Sequence, residues 1–146
     1  MLLAPVVDTL KLIVTPGGAQ EFRKVATAAN FAAARDDLKT PPAAYVIPAR
    51  DTAGANKLGG GGAIIQPVAE QFGVVLAVSN LRDASGVAAQ VEFERLRRLV
   101  IDQMLGFVPG DGYEPCEYGG GALLALDASV LWWQLVFRTG YTERNY

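Results

Sequence analysis

Residues 63–79, "AIIQPVAEQFGVVLAVS", decide how the rest of the chain is read. From 64 to 79 the pattern is that of one long strand. Phe72, Val74, Leu76 and Val78 fall on one side of it, and Val75 and Ala77 on the other. A strand that is apolar on both sides has no face to give to water, so it belongs in the middle of a sheet. Immediately before it stands "KLGGGG" (57–62), a lysine beside four glycines. A phosphate-binding loop needs its lysine after the glycines and a helix N-terminus facing the anion. Here Lys57 precedes them, no Gly-Lys-Ser/Thr follows, and Pro67 with its β-branched neighbours continues as extended chain. Gly59, Gly60, Gly61 and Gly62 therefore read as the tip of a long hairpin spanning about 50–71, loose in the free subunit.

Outward from that strand the elements follow by periodicity. Val6, Val7, Leu10, Ile13 and Val14 have helical spacing, ended by "TPGG" at 15–18. A short strand is expected over 21–27 and a short helix over 30–38 with Asn30 as its cap. After "TPP" (40–42), "AAYVIPAR" (43–50) reads as a strand with Tyr45 and Ile47 on one face, followed by a glycine-rich connection over 51–62. A turn over 80–86 leads to the strongest helix, 87–106, with Phe93, Leu96, Val100, Met104 and Phe107 as its buried stripe. Glu94 and Arg98 stand at i,i+4 on its solvent side. Residues 108–121 read as loop or the approach to a hairpin, and 122–126 with 129–139 as a closing hairpin turning at Asp127 and Ala128. The order α-β-α-β-β-α-β-β specifies an α+β fold: one domain over 1–146, a mostly antiparallel or mixed sheet, and helices packed on one face.

On the last strand Leu131, Trp133, Leu135 and Phe137 alternate to one side, and Trp132, Gln134, Val136 and Arg138 to the other. Consecutive tryptophans cannot share one core layer. Trp132 either packs under a loop or the first helix, or it anchors a subunit interface, where tryptophan is enriched.

Composition narrows the function. The 146 residues are 51% hydrophobic and 19% charged, with net charge −2 and no histidine. Cys116 is the single cysteine and reads as a small half-buried residue. Disulfide frameworks, ordinary zinc sites and histidine-assisted nucleophiles are thereby excluded. The carboxylate clusters are Asp36 with Asp37, Glu92 with Glu94, and Asp51; none forms a convergent acid/base pair. Basic residues, Arg50, Lys57, Arg82, Arg95, Arg97, Arg98, Arg138 and Arg144 among them, are interleaved with acids and make no stripe for duplex binding. The apolar N-terminal stretch lacks the basic start and cleavage pattern of a signal peptide, and it is too short for a bilayer. The protein is expected to be a non-enzyme without cofactor or metal, acting inside the cell that makes it.

Several segments in series, "FRKVATAANFAAA", "PPAAYVIPAR", "QPVAEQFGVVLAVSNLRDASG", "LGFVPGDGYEP" and "GGGALLALDASVLWWQLVFRTGY", resemble the tail terminator, or tail completion, proteins of long-tailed bacteriophages and prophages. The resemblance covers roughly 20–140 and rests on packing and turn patterns. It implies an α+β virion protein without enzymatic activity. Such a protein forms a homo-oligomeric ring, usually hexameric, on the head-proximal end of the tail tube, after assembly in the host cytoplasm. Its implied partners are the tube protein and the head connector or neck protein; there is no membrane and no sequence-specific nucleic acid, although DNA can pass through the lumen. A neck or head-completion protein of the same phages fits these features too. The residues expected at the assembly interface are Arg50, Lys57, Gly59, Gly60, Gly61, Gly62, Trp132 and Arg138.

Overall fold

The long strand expected over 64–79 is the middle one of five. In the computed structural model, which describes residues 1–80, 87–127 and 129–146, the strands are β1 (Lys24–Thr27), β2 (Ala43–Ala53), β3 (Ile65–Ser79), β4 (Glu117–Leu126) and β5 (Val130–Arg144). The helices are α1 (Ala4–Leu10), α2 (Phe31–Asp37) and α3 (Val87–Met104). The strands lie in the order β1-β2-β3-β5-β4. β1 is parallel to β2, and the other pairs are antiparallel, so the sheet is mixed. The α+β class expected from the element order is the one observed.

β3 is central for the reason its pattern gave. On one face Ala44, Val46, Phe72, Val74, Leu76, Leu135 and Phe137 form a core with Val6 and Leu10 of α1 and Leu96, Val100 and Met104 of α3. On the other, Tyr45, Ile47, Val75, Ala77 and Trp132 pack with Ala34 of α2. The helices are therefore not confined to one face. β1 and β2 run parallel, so the chain between them must cross over the sheet, and α2 is that crossover.

Element ends differ from expectation where polarity hides pairing. β2 continues to Ala53 because Arg50, Asp51, Thr52 and Ala53 stay in register with Gln71, Glu70, Ala69 and Val68, past a bulge between Pro48 and Arg50. β4 starts at Glu117, inside the expected loop, with Gly120 and Gly121 opposite Val136 and Leu135. α1 stops at Leu10; Ile13 is buried, while Val14 is 48% exposed and bridges to Gln20. On α3, Glu94 pairs with Arg97 at 3.0 Å and Arg98 with Asp102 at 3.1 Å, so the expected Glu94–Arg98 pair is replaced by two neighbouring ones. Asn30 caps α2 as expected, its Oδ1 accepting from the Ala33 N–H at 2.9 Å. The turn expected over 80–86 lies, from 81 on, outside the described residues, as does Ala128.

Candidate assembly surface

The glycine tip closes the hairpin between β2 and β3, and its geometry is set by an asparagine that precedes it. Asn56 Nδ2 donates to the Leu58 and Ala63 carbonyls at 2.7 and 3.2 Å. Its Oδ1 accepts from the Leu58 and Ile65 N–H groups at 3.1 and 2.9 Å. One side chain thus ties both legs of the tip. A second asparagine reaches in from the end of β5: Asn145 Nδ2 donates to the Gly62 carbonyl and its Oδ1 accepts from the Ile64 N–H, both at 2.7 Å. Gly60, Gly61 and Gly62 have φ of 128°, 79° and 80°, the region where only glycine sits without strain. The glycines serve the turn itself. The helix a phosphate loop needs is replaced by β3, and Lys57 projects into solvent after its N–H has bonded the Ile65 carbonyl at 2.8 Å. The expected looseness is thus limited by two side-chain fastenings, Asn56 across both legs of the tip and Asn145 on the second leg.

Replacing Asn56 by alanine removes all four of its bonds and leaves half-buried backbone groups to find other partners. The expected loss is about 1–3 kcal/mol of unfolding free energy, read by urea titration.

Arg50 and Arg138 are brought close to one another. Cross-strand register places Arg50 beside Gln71, Gln71 beside Arg138, and Arg138 beside Glu117. Directly paired residues project to the same side, so these four make one polar row across the face that also carries Trp132 farther along β5. Arg138 and Glu117 are 3.8 Å apart, outside the range of a charge-assisted hydrogen bond. The tip is at the far end of β3 and β5, where Ile65 pairs with Arg144. It lies several rungs beyond the row, so the expected interface residues do not form one patch.

Trp132 is 2% exposed, and of its two readings the packing one describes the subunit, with α2 as the cover in place of a loop or α1. Its indole makes an edge contact with Phe31 at 5.3 Å between ring centroids and lies 6.5 Å from Tyr45. Its Nε1 donates to Asp127 Oδ2 at 3.3 Å. Asp127 in turn accepts from Arg35 Nη2 at 2.9 and 3.2 Å, which fastens α2 to the end of β4. Trp133 faces the other way and makes a tilted ring contact with Phe93, 5.2 Å between centroids and 60° between planes. Its Nε1 lies where a Cβ at Gly121 would approach to 2.6 Å, so β4 needs a glycine there.

Of the carboxylates singled out in the sequence, Asp37, Glu92 and Glu94 are engaged in ion pairs within the subunit. Asp37 receives the Lys24 ammonium at 2.6 Å and the Tyr45 hydroxyl at 2.9 Å, and these two groups, Lys24 foremost, lower its pKa. Glu92 is lowered by its hydrogen bond from Arg95. Among the described residues no group of three or more His, Cys, Asp or Glu side chains is placed to hold a metal, and no helix is long and apolar enough to cross a membrane. Cys116 is more buried than expected, at 2% exposed, and burial pushes its thiol up to about 11. It should resist a maleimide at neutral pH in the folded protein and react fully once urea unfolds the chain; rapid native labelling would contradict the burial.

The signals for Asn56, Asn145 and Asp127 were slight. An asparagine or aspartate beside a turn is common, and only the three-dimensional path shows which backbone groups it meets.

A family model described as phage tail terminator protein matches residues 4–146. The chain belongs to the phage tail terminator family. No curated protein sequence matches it significantly. Membership makes this terminator-family chain a structural protein of the bacteriophage tail, a virion component that works with other tail and head proteins. The match spans both core layers, the hairpin arm and the polar row, so the described surface belongs to the part of the chain that defines the family.

Proposed function

We propose that the protein caps the head-proximal end of the tail tube as a hexameric ring, stops tube polymerisation, and presents the surface on which the head connector docks. The observation that carries this reading is the family match over nearly the whole chain. The fold is compatible with it: a mixed sheet with exposed charge at both ends of one row, and a hairpin arm that projects its tip toward a neighbour, the tube or the lumen. DNA would pass through the ring without base-specific contact, in keeping with a net charge of −2. The subunit contacts of such a ring are heterologous and close by rotation.

Two measurements test this. Sedimentation across concentration, with electron microscopy of the protein mixed with purified tail tubes, should show a ring or a monomer that becomes a ring on one tube end. A chain that stays monomeric and ignores tube ends would refute the reading. Deleting 59–62 should lengthen tails or impair head joining; tails of normal length that join heads normally would remove the tip from the mechanism.

A further inference from the structure

The polar row Arg50–Gln71–Arg138–Glu117 begins and ends at opposite flanks of the sheet. At one flank, β1 covers β2 only along 43–46, so Arg50 stands on an open stretch of edge. Among the described residues it has no ion pair, and it is exposed. At the other flank β4 is the outermost strand. Glu117 is 75% exposed there and touches Arg138 only at 3.8 Å.

Within one subunit Arg50 and Glu117 are three strand spacings apart, about 14 Å, and so cannot pair. They nevertheless project from the same face and at the same level. The geometry points to a second copy of this chain as the missing partner: Glu117 on the β4 flank of one subunit meets Arg50 on the β2 flank of the next. Opposite charges at opposite edges, matched in level and face, are what a head-to-tail contact needs to repeat around a ring. Pro48 and the bulge before Arg50 blunt the β2 edge, so the contact is made by side chains and does not extend the hydrogen-bonded sheet. The inference rests on the ring reading above and names the surfaces that close it.

A charge-swap cycle tests it. Wild type, Glu117→Arg, Arg50→Glu and the double variant are compared by sedimentation and by counting capped tube ends at fixed concentration, with circular dichroism confirming the fold. Each single reversal sets like charges together and should lower the assembled fraction about tenfold or more. The double variant should return to within about threefold of wild type, because the pair is restored with its sign inverted. Single variants that assemble like wild type, or a double variant no better than the worse single one, would overturn the contact while leaving the ring intact. A wild-type chain that forms no ring at any concentration, with or without tubes, would remove the ring and this contact together.

Discussion

Trp132→Ala is expected to lower the unfolding free energy by about 3–5 kcal/mol, the range for truncating a buried aromatic to alanine. The indole is 2% exposed, fills the space between the sheet and Phe31 of α2, and holds Asp127 through its N–H. Removing it opens a cavity and frees the short α2, whose seven residues cannot form a stable helix alone. Trp132→Phe keeps most of the ring and loses the bond to Asp127, so it should cost less, with about 1 kcal/mol assigned to that bond. Urea unfolding of the subunit decides. A change under about 1 kcal/mol for the alanine variant would mean that α2 is held by something else.

Leu96→Ala should be comparably severe, about 2–5 kcal/mol. Leu96 is fully buried in the middle of the stripe that α3 lays on the sheet, with Val100 and Met104 one and two turns on. Val91 provides the control on the same helix. It is 63% exposed, and Val91→Ala should stay within about 0.5 kcal/mol. Equal effects at the two sites would contradict the assigned face of α3. Because both substitutions lie away from the charged row, any loss of assembly at Leu96 should follow the loss of folded protein.

The sequence made legible whatever hydrophobic spacing controls. β3 had to be central because both of its faces are apolar, and α3 had to present Leu96, Val100 and Met104 because they recur at helical spacing. The divergence of Trp132 and Trp133 followed from strand geometry alone. What stayed hidden is carried by backbone pairing and by long-range topology. The last four residues of β2 are all exposed, so no apolar pattern marks them, and only their register with β3 makes them strand. The glycines of β4 looked like loop, yet Gly121 is the residue that leaves room for the Trp133 indole. The side on which α2 packs depends on a parallel crossover that no local signal announces. At the candidate surface, Arg50, Arg138 and the tip could be named from sequence. Their alignment with Gln71 and Glu117, and the roles of Asn56 and Asn145, depended on strand register.

β3 and β5 stay in register over their full length, from Ile65 opposite Arg144 to Ser79 opposite Val130. The tip hangs at one end of that ladder and α2 with its tryptophan lies at the other. The rungs are perpendicular to the strands. A tension applied lengthwise, between the tip and the far end, loads the rungs in shear and must break many of them together. A pull across the strands meets them one at a time, like a zipper. The subunit is therefore mechanically anisotropic, stiffest along the axis that joins its hairpin arm to the opposite end of the sheet.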